Sequence, residues 1–536
     1  MIDQSVSPDT PSLATGVDPC LNRRALLVGV AATTLAACGA PSGRKAPVVT
    51  GEDIPEPPEI RSSNGVLDVT LEGAPARVTV AGRTFVSNVL NGRYIPPVLV
   101  VQRGDEAHIR FVNMIGKADI EIDGPQPSNI HTHGMAIPPV QPADNAYIGV
   151  PSGAPAAASA SHSGAQMDHG FEPLRSFPDG SGYQSPNVYE YRWKVPADHA
   201  QGLHWYHPHA HGMVEPQVLS GMSGLLIVDG FIQDHYPELA QLKVRRLILK
   251  DIDLPGAADG APKTKTINGV AGGVLRMRPG EHQVWEIGNV GADAFFDLEI
   301  QGQQVWAMGH DGNIVIEPSP ATSVYLPAGA RTTIVVKAAA TVGAFAVNSL
   351  AVDTGPAGDP NPLVRLATLS IEGDPLDQGA ITRRMAQPAA NRASIQPTVE
   401  GVTALPTTRK RTIRFSESSD GKHFFIDGRA FDPARDDITV KLGDVEEWTL
   451  QNTTGELHVF HIHQLDFLVL DINDGDIDAR GLRDTIDMPY ARDGQPGQVR
   501  IKIPFTSPTM VGRFPFHCHI LEHEDAGMMA TVRVVA

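Results

Sequence analysis

Three segments of the chain repeat one pattern of apolar and polar positions. In each segment a Gly and an acidic residue are followed by apolar side chains at alternate positions, and an Asn stands eight residues after the acid. Alternation with a period of two is typical of a β-strand with one buried face. An Asn-Gly or Asp-Gly pair, typical of a tight turn, precedes each copy by 11 to 15 residues. The copies run from Gly104-Asp105 to Asn113, from Gly280-Glu281 to Asn289 and from Gly443-Asp444 to Asn452.

The copies begin 176 and 163 residues apart, so the repeating unit is a whole domain rather than a short solenoid repeat. We therefore expect an all-β chain of three related domains, each a Greek-key β-sandwich. Residues 38–60 are rich in Pro and Gly and predict a tether, and the Ala-, Ser-, Gly- and Pro-rich stretch 150–186 predicts a long surface loop. The predicted domains cover residues 61–235, 240–378 and 405–536, with a linker over 379–404.

The composition agrees with this prediction. Among 536 residues, 52 are Gly and 44 are Pro, whereas aromatic residues make up 6% and charged residues 19%. This profile favours a globular, strand-rich protein over a helical bundle, a coiled coil or a disordered chain. The net charge of −18 would repel a polyanion, which argues against nucleic-acid binding.

Residues 1–37 predict an export signal. The apolar run Ala25 to Ala37 follows Arg23 and Arg24, and its 13 residues are too few for a bilayer, which needs about 20. The Arg pair resembles a twin-arginine signal, and the Leu-Ala-Ala-Cys stretch resembles a lipobox with Cys38 as the lipidated first residue of the mature chain. An ordinary cleaved signal is the alternative. We expect an exported protein, periplasmic or at the cell surface, anchored through Cys38.

The histidines are clustered in a way that indicates a metal site. Chance placement of 20 histidines in 536 residues would give fewer than one His-x-His pair, and the sequence has five. Imidazole suits copper, zinc, iron and nickel. The pairs are His131/His133, His207/His209, His209/His211, His461/His463 and His517/His519.

Strand geometry divides these histidines between two sites. Residues i and i+2 of a strand face the same side, about 6.6 Å apart. In the tripeptide 517–519 the two histidines therefore face one site and Cys518 faces another. Likewise, the odd spacing turns His458 away from His461 and His463. We refer to the two as the imidazole site and the thiolate site.

The thiolate site can be completed from the sequence. Cys518, His458, His523 and Met528 supply one thiolate, two imidazoles and a thioether, which is the ligand set of a blue-copper electron-transfer centre. Zinc also accepts Cys and His, but a Met ligand and a second site lined by His-x-His pairs favour copper. Simple core packing is the alternative for Met528.

With these motifs the chain resembles the multicopper oxidases, the family of laccases, cuprous oxidases and bilirubin oxidases, over residues 65–536. The resemblance implies three cupredoxin domains, a type 1 copper in the third domain and a trinuclear copper cluster between the first and the third. The four motifs that carry it are His131-Thr132-His133-Gly134, Trp205-Tyr206-His207-Pro208-His209, His458-x-x-His461-x-His463, and His517-Cys518-His519 continuing to His523 and Met528.

Matching each motif position implies four copper ions per chain. The type 1 ion would take the four residues of the thiolate site. The type 2 ion would take His131 and His461. The type 3 pair would take the other six histidines, which are His133, His207, His209, His463, His517 and His519.

The resemblance also implies the reaction. A small donor gives single electrons to the type 1 copper, Cys518 passes them on through its histidine neighbours, and four electrons reduce dioxygen to two waters. Glu524 and Asp144 occupy candidate positions for the acids that supply protons, with a solvated surface carboxylate as the alternative for both. Glu456 could steer the donor or be a plain turn residue.

The sequence constrains the identity of the electron donor less than it constrains the reaction with dioxygen. We favour laccase-like oxidation of phenols and aromatic amines, because the 13 methionines form no dense run of the kind that gathers copper(I). Oxidation of copper(I) in copper tolerance is the alternative. Non-enzyme alternatives are a structural relative without copper and a one-copper carrier, which would not need eight cluster histidines. We expect a monomer.

The remaining histidines have plainer interpretations. His204 and His211 flank the second motif, and we expect structural roles for both. His162, Met167 and His169 lie in the 150–186 stretch, where we expect a solvated loop. Binding of an extra copper is the alternative for these three.

Overall fold

The computed structural model describes residues 49–120, 126–154, 170–258, 261–392, 397–477 and 480–536. Within these ranges the chain is mainly β-strand, and the predicted all-β class is confirmed. The export signal, Cys38 and the middle of the 150–186 stretch lie outside the described residues. None of the helices in the described part of the chain is long and apolar enough to cross a membrane.

The first domain contains two five-stranded sheets. Its elements are β1 (Glu59–Arg61), β2 (Val66–Val80), β3 (Arg83–Leu90), β4 (Val98–Val101), β5 (Glu106–Asn113), β6 (His131–His133), β7 (Gly182–Ser185), β8 (Val188–Lys194), β9 (Gly202–His207), α1 (Val214–Leu219), β10 (Gly224–Val228) and α2 (Phe231–His235). The strand orders are β1-β4-β10-β9-β6 and β3-β2-β5-β8-β7.

The second domain contains a six-stranded and a five-stranded sheet and is followed by two short helices. Its elements are β11 (Lys243–Ile252), β12 (Thr264–Ile267), β13 (Gly273–Met277), β14 (His282–Asn289), β15 (Phe296–Ile300), β16 (Gln304–His310), β17 (Asn313–Ala321), β18 (Val324–Leu326), β19 (Arg331–Lys337), β20 (Gly343–Ser349), β21 (Val364–Ile371), α3 (Gly379–Arg384) and α4 (Val399–Ala404). The strand orders are β12-β11-β14-β19-β16-β17 and β13-β21-β20-β15-β18.

The third domain repeats this plan. Its elements are β22 (Arg409–Glu417), β23 (Phe424–Ile426), β24 (Ile438–Lys441), β25 (Val445–Asn452), β26 (His458–Ile462), β27 (Leu468–Ile472), β28 (Gly475–Asp476), β29 (Thr485–Met488), β30 (Gly497–Pro504), β31 (Gly512–Cys518), α5 (Leu521–Asp525) and β32 (Met529–Val535). The strand orders are β23-β22-β25-β30-β27-β28 and β24-β32-β31-β26-β29.

The three copies of the sequence repeat occupy the same place in their domains. β5, β14 and β25 are each third in their sheet, with a parallel neighbour on one side and an antiparallel neighbour on the other. The closing Asn of each copy is fully buried, and its side-chain amide donates to two backbone carbonyls in the segments that follow. In the third domain this Asn fixes the loop that leads to His458.

Each domain has its own apolar core between its two sheets. Trp448 and Phe516 meet in the core of the third domain, and Trp285 is central to the core of the second. Tyr189 and Tyr191 pack with Ile109 in the first. Alternate positions of each strand thus face the core, as the period of two predicts.

Two segments predicted as connections are packed against the domains. From residue 49 onward the predicted tether runs along the second domain, where the Ile54 amide donates to Val274 O at 3.0 Å. Ile54 is 6% exposed and belongs to the core of that domain, and β1 then pairs with β4 of the first. In the predicted linker, Ile381 and Met385 pack against Phe231. Pro and Gly content predicted the tether, and the second place was predicted as a linker between domains. In both, buried apolar side chains pack against a core.

Ile54→Ala tests whether the segment after residue 49 is part of the folded body. Removing the buried side chain should destabilise the second domain by about 2 to 4 kcal/mol. We therefore expect a lower calorimetric Tm for this variant. Glu52→Ala changes an exposed side chain of the same segment and should leave Tm unchanged. A wild-type Tm for Ile54→Ala would mean that the segment is a loose tether.

Candidate metal centre

The thiolate site is assembled by β26, β31 and α5. Antiparallel pairing places Phe460 opposite Cys518, so that His458 and Cys518 reach the same side. The Cys518 sulfur lies 3.6 Å from His458 Nδ1 and 3.7 Å from His523 Nδ1, and the two nitrogens lie 3.1 Å apart. All three side chains are buried, and burial raises the pKa of Cys518. Three donor atoms therefore converge on one point.

A hydrogen bond to His458 and a carboxylate contact to His523 orient the two imidazoles of this site. The Thr454 hydroxyl lies 3.0 Å from His458 Nε2, and a Glu456 oxygen lies 3.5 Å from His523 Nε2. Both Nδ1 atoms are thereby turned toward the sulfur. Met528 is fully buried. Its carbonyl accepts from the Cys518 amide at 3.0 Å and its amide donates to His523 O at 2.9 Å, and these bonds hold Met528 beside the other three residues.

The imidazole site lies between the first and third domains. Its histidines are at most 1% exposed, and β6 and β9 of the first domain face β26 and β31 of the third. Strand parity divides the motifs as the sequence predicts, because Cys518 points to the thiolate site and its two neighbours point here. The members are His131, His133, His207, His209, His461, His463, His517 and His519.

Three of these imidazoles have the spacing of ligands around one ion. The Nε2 atoms of His209, His463 and His517 lie 3.1, 3.2 and 3.3 Å from one another. His517 Nδ1 lies 3.0 Å from the Cys518 carbonyl and donates to it, which leaves the His517 Nε2 lone pair free. An ion bound at about 2 Å from each nitrogen accounts for such a triangle.

Other nitrogens of the site lack partners among the residues that the structure describes. His131, His207 and His461 each leave Nε2 unpartnered, and His133 leaves Nδ1 unpartnered. The opposite nitrogen of each ring is occupied, for example by a carboxylate at His131 and by a backbone carbonyl at His207. Buried polar atoms are seldom left unsatisfied, and a metal ligand commonly has its second nitrogen held in this way. The pattern fits a bound metal.

Burial also keeps the imidazoles in the form that binds metal. Burial, together with the neighbouring rings, lowers the pKa well below the ordinary value of 6.5 in six of them. Neutral imidazole is the metal ligand, so no proton has to be displaced near neutral pH. The six are His133, His207, His209, His461, His463 and His519.

Both predicted acids lie against histidines of the imidazole site. Asp144 is 2% exposed, and both of its oxygens lie 3.0 Å from His131 Nδ1. Glu524 is fully buried, with Oε2 lying 3.0 Å from His517 Nδ1 and Oε1 lying 3.3 Å from His209 Nε2. Neither is a solvated surface carboxylate.

A third carboxylate, Asp484, was not predicted from the sequence. It is fully buried, accepts from His133 Nε2 at 3.2 Å and forms a double ion pair with Arg331. No motif or spacing marks this residue. The pairing of Thr485 with His461 between β29 and β26 brings it to the site, so only the strand register could have revealed it.

The short helix α5 is held by both other domains. Asp293 of the second domain accepts from the Leu521 amide at 3.0 Å at the start of the helix. Asp525, at its end, accepts from the amides of Gly212 and Glu215 in the first domain at 2.8 and 2.9 Å. Because α5 carries His523 and Glu524, these contacts fix both sites relative to the domain interfaces.

A cleft of about 1170 Å³ opens beside the thiolate site and includes His523 in its wall. Glu456 faces this cleft, and burial followed by repulsion from Glu417 raises the Glu456 pKa to about 8. No methionine lines the cleft among the residues described. Its acidic residues are Asp119, Glu215, Asp251, Asp253, Asp293, Asp359, Glu417, Glu456 and Glu522.

The remaining predicted residues lie away from both sites or outside the described chain. His204 is buried but belongs to no group of converging metal donors in the described ranges. His211 packs edge-on against Phe431, with ring centroids 4.7 Å apart. His162, Met167 and His169 lie outside the described residues.

Known proteins match the chain over most of its length. Residues 230–372 and 395–536 each match a family model described as multicopper oxidase. A multicopper oxidase of Staphylococcus epidermidis is 23% identical over 494 residues, which cover 88% of this chain and 90% of that protein.

Solved structures share the fold. A multicopper oxidase from Campylobacter jejuni, described as a metallo-oxidase, superposes with a TM-score of 0.68 at 22% identity and covers 92% of this chain and 98% of its own. A laccase-like oxidase from Ochrobactrum, described as active towards lignin model compounds and lignosulfonate, gives a TM-score of 0.64 at 19% identity, with 90% and 100% covered. The donor geometry and these matches agree, and the chain belongs to the multicopper oxidase family, whose cofactor is copper.

Proposed function

We propose that the protein holds four copper ions and couples the oxidation of a small organic donor to the reduction of dioxygen to two waters. One observation carries the proposal: Cys518 lies at the thiolate site, and the residues bonded to it on either side lie at the imidazole site. A carrier of one copper ion would need only the thiolate site. A structural protein would need neither the thiolate site nor the imidazole site.

The ligands divide among the ions as the motifs imply. A type 1 copper would be held by His458, Cys518 and His523, together with the thioether of Met528. The type 2 copper takes His131 and His461. The triangle of Nε2 atoms supports one type 3 ion on His209, His463 and His517. The second type 3 ion takes His133, His207 and His519.

Bound copper supplies the redox chemistry, which is single-electron transfer at the thiolate site and four-electron reduction of dioxygen at the imidazole site. The chain supplies the path along which electrons pass from the donor to the thiolate site and on to the imidazole site. His523 faces the cleft with the edge that bears Nε2, and the route onward lies within the consecutive residues 517–519. Packing against Phe424, at 4.1 Å between ring centroids, holds the His523 ring in place.

The chain also supplies protons and excludes water. Reduction of dioxygen to two waters consumes four protons, and Asp144 and Glu524 are buried acids that touch different histidines of the imidazole site. Gln464 donates to Asp144 at 2.7 Å and keeps its carboxylate in position. The cluster histidines are almost wholly buried, which keeps bulk water from the space between them.

The volume and lining of the cleft favour an organic electron donor. Its volume of about 1170 Å³ accommodates an aromatic molecule, and none of its described lining residues offers the thioether that soft copper(I) prefers. The acidic lining favours a donor that carries a positive charge. The same lining would attract copper(I), so cuprous oxidation in copper tolerance is the second candidate. The activity described for the Ochrobactrum oxidase is consistent with an aromatic donor.

We also propose that the protein is exported, acts as a monomer outside the cytoplasm and is anchored through a lipid on Cys38. The support is the arginine pair, the 13-residue apolar run and the lipobox-like sequence. An oxidising compartment suits a chain whose free thiol, Cys518, is shielded by burial.

Cys518→Ser should separate the two sites. The variant should lose the blue absorption and the ability to take electrons from a phenol, while it retains copper at the imidazole site. Dioxygen uptake, copper content and the visible spectrum are measured on the copper-loaded full chain. Uptake at the wild-type rate would contradict the proposed path through Cys518.

The combined variant Asp253→Asn, Asp359→Asn and Glu417→Gln tests the charge of the cleft. We expect kcat/KM for a cationic aromatic amine to fall about tenfold at low salt and less at high salt, because electrostatic attraction is screened. A neutral phenol should be unaffected. Asp68→Asn, Asp374→Asn and Glu400→Gln, which remove the same charge outside the cleft, are the matched control. Equal losses in both variants would exclude a local effect.

Cys38→Ser tests the anchor. In cells, the wild-type protein should sediment with membranes and incorporate labelled fatty acid, and the variant should do neither. An unchanged distribution would favour an ordinary cleaved signal, with Cys38 incidental.

A further inference from the structure

Two neighbouring imidazoles of the imidazole site expose opposite nitrogens. His133 and His461 stack with ring centroids 3.7 Å apart and an interplanar angle of 12°. His133 leaves Nδ1 without a partner, and His461 leaves Nε2 without one, among the residues described. The two stacked imidazoles thus offer different nitrogens as ligand atoms. A neighbouring group must determine which nitrogen each ring offers.

Asp484 provides an acceptor at the other nitrogen of both rings, and the Thr485 hydroxyl lies farther off, at 3.3 Å from His133 Nε2 and 3.4 Å from His461 Nδ1. A carboxylate oxygen of Asp484, Oδ1, lies 3.2 Å from His133 Nε2, and the backbone carbonyl of Asp484 lies 2.8 Å from His461 Nδ1. A neutral imidazole has a single N–H, which goes to the nitrogen that faces an acceptor. Asp484 therefore places the proton of His133 on Nε2 and the proton of His461 on Nδ1.

Arg331 holds this carboxylate in place. Its guanidinium donates from Nη1 to Asp484 Oδ1 at 2.6 Å and from Nη2 to Oδ2 at 2.7 Å, a two-point contact that fixes the carboxylate plane. Arg331 is itself fully buried and also donates to the backbone carbonyls of Leu203 and Gly329. Thr485 adds a hydrogen bond to Oδ1 at 2.8 Å.

The sequence around His133 accommodates this pair. Gly134 adopts φ +83°, and a Cβ placed on it would lie 2.6 Å from Asp484 Oδ2 and would also collide with Arg331. A side chain at position 134 would displace the carboxylate. The Gly of the first histidine motif thus leaves the room that the ion pair needs.

We infer that Asp484 is a positioning residue that makes His133 present Nδ1 and His461 present Nε2, so that the two stacked rings serve different copper ions. The inference rests on the proposed function, because it concerns how the imidazole site receives copper. His133, His461 and Asp484 are also close enough to bind one ion together. The two-point contact with Arg331 engages both carboxylate oxygens, which favours a hydrogen-bond acceptor over a ligand.

Asp484→Asn is the variant that tests the inference. An amide has one acceptor oxygen, so it cannot satisfy both Arg331 donors and also accept from His133. We expect the affinity of the imidazole site for copper, measured by competition with a chelator, to fall about 10- to 100-fold. The electron paramagnetic resonance signal of the type 2 copper should change. The blue absorption of the thiolate site should remain.

Asp311→Asn is the matched control. Asp311 accepts from the Arg331 amide at 2.9 Å and lies 3.5 Å from its guanidinium, but it is in no hydrogen bond with a histidine of the site. The control removes a buried negative charge from the same arginine. It should retain copper affinity and the type 2 signal.

Two results would overturn the inference. One is a wild-type copper affinity and type 2 signal in Asp484→Asn. The other is an equal loss in Asp311→Asn, which would assign the effect to buried charge rather than to orientation of His133. Thr485→Val removes a hydroxyl that donates to Asp484 and also lies beside His133 Nε2 and His461 Nδ1, and it should give a smaller change in the same direction. If Asp484→Asn does not fold, a wild-type affinity and signal in Thr485→Val overturns the inference.

The design separates this inference from the proposed function. Copper affinity and the type 2 signal report on the imidazole site without any donor. Failure of the wild-type protein to consume dioxygen with any donor would reject the proposed function and leave the orientation of His133 and His461 to be decided by the variants.

Discussion

The burial of eight imidazoles between two domains is the constraint on which the rest of the structure depends. Nitrogens that converge at 3.1 to 3.3 Å with their lone pairs facing one another are unfavourable in a dry interior unless a cation lies between them. In five of the rings the second nitrogen is held by a carboxylate or a backbone carbonyl, namely in His131, His133, His207, His461 and His517. The need for those acceptors explains the buried Asp144 and Asp484, which would otherwise be costly.

The same constraint accounts for how the domains are joined. Because the imidazole site takes strands from the first and third domains, small shifts between them would separate its ligands. Asp525 connects α5 to the first domain and Asp293 connects it to the second, in each case through a side-chain carboxylate that accepts from backbone amides. Arg331 of the second domain reaches Asp484 of the third next to His133 of the first. The second domain thus helps to position the imidazole site, although none of its described residues belongs to the groups of converging ligand atoms there.

Much of this could be predicted from local pattern. The period-two repeats correspond to β5, β14 and β25, and strand parity alone assigned Cys518 and its neighbours to opposite sides. Long-range features could not be predicted in this way. Asp484 lies 153 residues from Arg331 and 351 from His133, and no periodicity connects them. Residues 49–60 and the helices α3 and α4 were predicted as loose connections because composition does not reveal which apolar side chains find a core. The export signal and the lipid anchor remain predictions.

The division of the two sites among domains has a consequence for assembly. All ligands of the thiolate site lie in the last 80 residues of the chain, whereas the imidazole site requires the first and third domains together. The third domain alone therefore carries every ligand of the thiolate site, whereas the imidazole site forms only when the first and third domains are joined.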